Sequence, residues 1–305
     1  MESPATSPLV WQIDDHDLVI SNPKKIYWPG EGISKLELLE YYKAMAPTLL
    51  PYFKERPFTV QFFPRGINDF SYYKRNFDEE SDHYDHFTTA SYDEISQHKS
   101  IQVPLLDKAI GLLWLASKGG IEFHLWGSKM PDYEYPDMVI FDLDISPKTN
   151  FKKVLEAALH LRDLLKEHGL KSFSKTSGGK GLHVYVPIKA KYSFEFVREW
   201  AKTIDQELMD RYPRLITSER QGQKTHAGDK VTIDYMQNVI SRNTAAPYTV
   251  RAFKKAPVSA PISWEEVAKA HITPADFTIK NMPERLQNIG DIFKPVLTLK
   301  QDVSL

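Results

Sequence analysis

Apolar and polar positions alternate with a period of two along much of this chain, and segments of helical spacing interrupt that alternation. Residues Trp11 to Ile20 alternate as a strand does, and Ser21-Asn22-Pro23 breaks the pattern. Ser34 followed by Glu37 is a capping-box signature, which predicts a helix beginning near Lys35. Alternation returns over 57–76 around a Pro-Arg-Gly turn, and Ile101 to Ala116 reads as a buried strand followed by a short helix. Gly119-Gly120 then turns the chain into a strand over 121–126, with Glu122 and His124 on one face and Ile121, Phe123 and Leu125 on the other.

The stretch MVIFDLDI, Met138 to Ile145, places Asp142 and Asp144 on one face of a strand and Phe141 and Leu143 on the opposite face. Phe151, Val154, Leu155, Ala158, Leu161 and Leu165 mark a helix that Thr149 or Asn150 can cap and Gly169 can end. A strand over 171–175, the turn Thr176-Ser177-Gly178-Gly179-Lys180-Gly181 and a strand over 182–188 follow. In the last of these His183 and Tyr185 face away from Leu182, Val184 and Val186. An amphipathic helix spans 192–211, and the polar stretch 218–229 leads into a predicted strand over 231–236. Its Asp234 lies opposite Val231, Ile233 and Tyr235. Two short helical patterns and several prolines close the chain. No repeat or linker is evident, so one domain over 1–305 is expected, with 1–10 a flexible tail and 290–305 a C-terminal tail.

With 305 residues the chain can bury a sizeable core, and 42 % hydrophobic with 26 % charged residues is ordinary for a globular protein. A net charge of −1 argues against coating nucleic acid by bulk charge and leaves only local basic patches for that purpose. The absence of cysteine excludes disulfides and thiolate metal sites. The start MESPATSP has no signal-peptide pattern, and the longest apolar run, Ala109 to Ala116, is too short to span a bilayer. These features predict a soluble, cytoplasmic protein without membrane attachment.

Asp142 and Asp144 are either a strand end facing water or a pair of hard oxygen ligands suited to Mg²⁺ or Mn²⁺. Asp234 in mid-strand is costly unless hydrated, paired or metal-bound. The Ser177–Gly181 loop is either a plain turn or a cradle of N–H groups for phosphate, and its spacing is not that of a Walker loop. Asn22, Lys24, Lys25 and Lys35 lie by a helix N-terminus, as an anion pocket or a solvated basic turn. Tyr72 and Tyr73 beside Lys74 and Arg75 suit base stacking next to a phosphate track, or a half-buried strand. Residues 77–86 form an acidic loop expected to face solvent. Three strand acids, a glycine-rich Ser/Lys/His loop and a nearby arginine are the equipment of two-metal phosphoryl transfer.

The segments FDLDISP, KTSGGKGLHVYVP and IDYMQNVISRNTAAPYTVRAFKKAPVSAPISWEE resemble the polymerase domain of bacterial DNA ligase D, an end-joining branch of the archaeo-eukaryotic primases. NPKKIYWPGEGISKLELLEYY and IEFHLWGSK match its amino-terminal parts, and the resemblance runs over 15–290. It implies an α+β fold, a primase-like catalytic core with two β-sheet lobes flanked by helices. It implies that Asp142, Asp144 and Asp234 are catalytic acids holding two Mn²⁺ or Mg²⁺ ions. Ser177, Lys180 and His183 would line the nucleoside triphosphate site, with His124, Gln237 and Arg251 nearby. Asn22, Lys25 and Lys35 would grip the 5′-phosphate of the downstream strand, and Tyr72 and Tyr73 would stack on template bases.

The implied activity is addition of NTP or dNTP substrates, ribonucleotides often preferred, to a 3′-hydroxyl at gaps or double-strand break ends in DNA. Ku and a DNA ligase are the implied partners, in the nucleoid region of the cytoplasm. The chain departs from the family at Gln61-Phe62-Phe63-Pro64, where basic residues are frequent, and in a longer loop near Ala227. Two other readings stand beside this one. A metal-dependent glycosyltransferase would need neither a third strand acid nor a 5′-phosphate pocket, and a DNA-end-binding module would carry its acids as vestiges.

Overall fold

The amino-terminal alternation closes into a hairpin, β1 (Leu9–Ile13) against β2 (His16–Ile20), turned by Asp14 and Asp15 at positive φ. The structure, a computed structural model, describes residues 8–77, 86–94, 99–146, 148–217 and 228–304. Leu9 and Val10 thus belong to a strand at the end of the expected 1–10 tail. Residues 1–7, the acidic stretch 78–85 and the polar stretch 218–227 lie outside the described residues.

Next come β3 (Ile26–Trp28), β4 (Ile33–Ser34) and α1 (Lys35–Phe53). The capping box forms as the sequence predicts: Ser34 Oγ accepts from Glu37 N, and the Glu37 carboxylate accepts from Ser34 N at 2.8 Å. The chain continues through β5 (Phe58–Phe62), β6 (Tyr72–Lys74), β7 (Thr88–Glu94), β8 (Lys99–Leu105), α2 (Ala109–Ser117) and β9 (Gly120–Trp126). Then follow β10 (Met138–Ile145), α3 (Phe151–Glu167), β11 (Phe173–Thr176), β12 (Leu182–Pro187), α4 (Phe194–Arg211), β13 (Ile216–Thr217) and β14 (Val231–Asp234). The chain closes with β15 (Asn243–Ala245), β16 (Pro261–Ile262), α5 (Trp264–Lys269), α6 (Met282–Ile289) and α7 (Pro295–Thr298).

Two sheets dominate, one of six strands in the order β13-β14-β10-β12-β11-β16 and one of four in the order β15-β9-β5-β6. Helices flank both, so the fold is the mixed α+β arrangement expected. Alternation explains how the layers meet. Phe141, Leu143 and Val184 are buried on one face of the six-stranded sheet, and Phe141 meets Trp200 of α4 with ring centroids 6.3 Å apart. On the four-stranded sheet Tyr42 of α1 meets Phe123 edge-on at 5.3 Å and donates to Ile121 O at 2.6 Å. Buried residues of both sheets join one continuous core. Phe293, Val296 and Val303 are buried too, and Gln301 Nε2 donates to Lys171 O at 2.9 Å, so residues 290–304 pack against the body of the molecule. No helix among the described residues is long and apolar enough to cross a membrane.

One strand is shorter than predicted. β14 stops at Asp234, and Tyr235–Gln237 form a 3₁₀ turn whose first free N–H, that of Met236, is taken by the Asp234 carboxylate at 2.8 Å. The reason lies at Asn238. Its buried amide accepts from Ile140 N at 2.9 Å and donates to Ile140 O at 2.9 Å, replacing the next rung of the ladder beside β10. The chain can therefore leave the sheet without orphaning a buried peptide group. Replacing Asn238 by alanine should cost about 2–4 kcal/mol, because two buried backbone groups lose their partners. Urea unfolding measures this, and a loss below about 1 kcal/mol would contradict it.

Candidate active site

Antiparallel register lines up Asp234, Asp142, His183 and Lys175 as successive cross-strand partners on β14, β10, β12 and β11. Directly opposed residues share a face, with Cβ atoms about 4.5–5.5 Å apart. Asp144, two residues along β10, lies on that same face. The fold thus brings the three acids singled out in the sequence beside His183. His183 Nε2 stands 3.3 Å from Asp142 Oδ1, and its Nδ1 stands 2.9 Å from Lys175 Nζ.

The carboxylates crowd one another. The Asp142 side chain is 16 % exposed, and its Oδ1 is buried without a hydrogen-bond partner. Burial, reinforced by Asp144 and Asp234, pushes the Asp142 carboxyl up to about 8. Burial and Asp234 raise Asp144 as well. On the other side of the row, burial and neighbouring cations hold His183 and Lys175 well below their ordinary values. Like charges on one face call for a proton or a cation between them. Among the described residues no group of three or more His, Asp or Glu side chains is drawn together as a formed metal site. The donor set nevertheless fits a hard divalent cation by type: three carboxylates on one face, one of them with an unpartnered buried oxygen.

The glycine-rich loop passes close to these acids. A Cβ on Gly181 would lie 2.7 Å from Asp144 Oδ1 and 2.5 Å from Leu143 O, so a larger residue cannot follow this path. Ser177 Oγ accepts from the N–H groups of Gly179 and Gly181 at 3.1 and 3.0 Å, which holds the loop in shape. Lys180 is exposed, and Gln237 is half-buried at the end of the 3₁₀ turn that follows Asp234.

Arg251 ties this loop to the other sheet. Its Nη1 donates to Ser177 O at 2.6 Å and its Nε to Glu122 Oε2 at 2.8 Å. Buried Glu122 also accepts from Ala252 N at 2.7 Å and faces His124 Nε2 at 3.1 Å. Burial alone would push Glu122 up, but the His124 hydrogen bond and the Arg251 charge bring it below the usual carboxylate range. Burial holds His124 low in turn. Glu122, Lys175 and the exposed Phe253, whose ring lies 5.6 Å from the Arg251 guanidinium, are parts of this site that the sequence reading did not assign. For Glu122 the shared strand face with His124 was a usable signal.

Tyr72 and Tyr73 fall on opposite faces of β6. Tyr73 sits edge-on to His124 at 6.0 Å, whereas Tyr72 stacks between Phe62 at 5.3 Å and Phe70 at 5.8 Å. The basic group is assembled: Lys25 N donates to Asn22 O at 3.0 Å and Lys35 N to Lys25 O at 2.8 Å. Lys25 Nζ donates to Pro64 O and Lys35 Nζ to Ser21 O, each at 2.8 Å. Burial, Lys118 and Lys25 lower Lys35 to about 8.

Comparison with known proteins adds an independent line. The LigD primase-polymerase domain matches residues 34–293. The multifunctional non-homologous end joining protein LigD of Pseudomonas aeruginosa is 32 % identical over 277 residues, 89 % of this chain and 31 % of that protein. Its counterpart in Mycolicibacterium smegmatis is 27 % identical over 291 residues, 94 % of this chain and 37 % of that protein. The chain therefore spans about a third of the length of these relatives. The polymerase domain of Mycobacterium tuberculosis ligase D, solved in complex with DNA, superposes with a TM-score of 0.84 at 27 % identity. The alignment covers 92 % of this chain and 98 % of that one.

A carboxyl raised on folding binds its proton more tightly in the native than in the unfolded chain. The proton is therefore favoured below the unfolded value of 3.8, and stability is lost as pH rises towards about 8. Asp142→Asn, which needs no proton, should raise the metal-free melting temperature by a few degrees near pH 8 and leave it unchanged below about pH 4. A shift of the same size at both pH values would place the effect elsewhere.

Proposed function

The chain belongs to the LigD primase-polymerase family of end-joining nucleotidyltransferases, and from that premise we propose that it adds nucleotides, ribonucleotides by preference, to a 3′-hydroxyl at gaps or broken DNA ends. The observation that carries this reading is the row of acids on β14 and β10, set against the glycine loop and Arg251. Asp142, Asp144 and Asp234 would hold two Mn²⁺ or Mg²⁺ ions. Held by these carboxylates, the ions would supply activation of the attacking hydroxyl and neutralisation of charge on the departing pyrophosphate.

The chain's own groups supply the rest. Ser177 shapes the loop by accepting from Gly179 N and Gly181 N, and phosphate contacts would come from the loop's other backbone N–H groups. Lys180 at its tip, together with His183, Arg251, His124 and Gln237, would orient the triphosphate. Arg251, already held by Glu122 and Ser177 O, can offer its remaining guanidinium protons without reorganising. Tyr73, exposed and on the His124 side of its strand, would stack on a template base, with Tyr72 and Phe70 continuing an aromatic surface on the other side. Lys25, Lys35 and Asn22 would anchor the downstream 5′-phosphate. In this reading the chain acts as one domain, alongside Ku and a ligase, at the nucleoid in the cytoplasm.

Extension of a gapped, 5′-phosphorylated duplex tests the proposal, comparing ribo- with deoxynucleotides and Mn²⁺ with Mg²⁺. Asp142→Ala should lower addition by roughly a hundredfold or more while DNA-end binding persists. Extension equal to wild type would remove Asp142 from the catalytic set.

Lys25→Ala and Lys35→Ala should each weaken binding to 5′-phosphorylated gaps about tenfold and leave unphosphorylated gaps nearly unaffected. Because the Lys35 ammonium is lost as pH rises through about 8, the preference for a 5′-phosphate should shrink above that pH. An equal loss on both substrates, or a preference that ignores pH, would put the phosphate elsewhere.

A further inference from the structure

Lys175 is completely buried, in mid-strand, two strands across from Asp142 with His183 between them, and nothing in the reaction proposed above uses it. Burying an ammonium is costly unless every proton is placed, so its partners define what it does. Ser259 Oγ donates its only proton to Thr176 O at 2.8 Å. That hydroxyl must therefore accept from Lys175 Nζ, 2.6 Å away. At the other end of this chain Nζ lies 2.9 Å from His183 Nδ1. A lysine ammonium has donors and no acceptor. With Lys175 as the ammonium, Nδ1 is the bare nitrogen and the ring proton sits on Nε2, which stands 3.3 Å from Asp142 Oδ1 on the carboxylate face.

We propose that Lys175 is a positioning residue. Through the relay Thr176 O, Ser259, Lys175 and His183, it acts as an ammonium that holds His183 as the Nε2–H tautomer, a donor on the carboxylate side of the sheet for the phosphate groups of the nucleotide. The last clause rests on the nucleotide reading of His183 given above, whereas the tautomer itself does not.

Two measurements test it. The first is the ¹⁵N–¹H long-range spectrum of His183 in the folded, nucleotide-free protein. Wild type should show a protonated Nε2 and a bare Nδ1, and Lys175→Met should mix the tautomers or move the proton to Nδ1. A protonated Nδ1 in wild type, or the same tautomer in both proteins, overturns the inference, and the wild-type spectrum decides even if the variant does not fold.

The second is a double-mutant cycle on the KM for nucleotide. Lys175→Met should raise KM by about 10- to 100-fold in the wild-type background and add almost nothing in a His183→Ala background. A merely structural role would cost the same factor in both backgrounds, and that result overturns it. A tautomer switch with unchanged KM in all four proteins would sustain the assignment of Lys175 and instead remove His183 from the nucleotide site.

Discussion

The constraint on which the rest depends is the register of β14, β10, β12 and β11. In a sheet whose one face is buried, a slip of a single residue exchanges the faces. Here it would send Phe141 and Leu143 into the cleft and Asp142 and Asp144 beneath α3 and α4. The buried rows forbid this. Leu143 is flanked by Leu182 on one side and Ile233 on the other, and all three are buried. Each such side chain contributes about 1.5–3 kcal/mol on burial. Together they outweigh the repulsion among the carboxylates on the other face. The apolar face of the sheet therefore assembles the acidic one, and the acids stay close because the core beneath them cannot shift.

A second, electrostatic constraint joins the two sheets. Glu122 on β9 receives Arg251, Ala252 N and His124, and Arg251 reaches on to Ser177 O in the glycine loop. A buried carboxylate and a guanidinium of this kind cost more to separate than they contribute as a pair, because removing either leaves an unpaired charge in a dry place. Two of the residues read as nucleotide ligands, His124 and Arg251, thus come from distant parts of the sequence but belong to one charged unit. Moving His124 or Arg251 alone means breaking that unit.

What the sequence revealed, and what it hid, follows from the range of the interactions. Faces of strands were legible from alternation, so Asp142 with Asp144, Glu122 with His124, and His183 with Tyr185 could be grouped correctly. The capping box at Ser34 was legible because it is local. The strand end at Asp234 was not, because the side chain that replaces the next rung comes from Asn238 and pairs with Ile140, 98 positions away. Lys175 was invisible as well. Nothing in Phe173-Ser174-Lys175-Thr176 marks it until the register sets it opposite His183. Grouping Tyr72 with Tyr73 treated neighbours in sequence as neighbours on a surface, whereas the period of two divides them between faces. The lysines near α1 were legible as a cluster, but the carbonyls that hold their ammonium groups come from Ser21 and from Pro64, on a separate turn.

The basic cluster and the acidic row are also connected physically. Trp28, fully buried between Lys25 and the start of α1, donates from its indole to Phe253 O at 2.9 Å. The Phe253 ring in turn lies against Gly179, where an added Cβ would come within 3.1 Å of it, and beside the Arg251 guanidinium. The path from the lysines to the glycine loop therefore runs through one packed indole and one aromatic ring. Under the proposed function, this packing of Trp28 and Phe253 would lie between the anchored 5′-phosphate and the triphosphate.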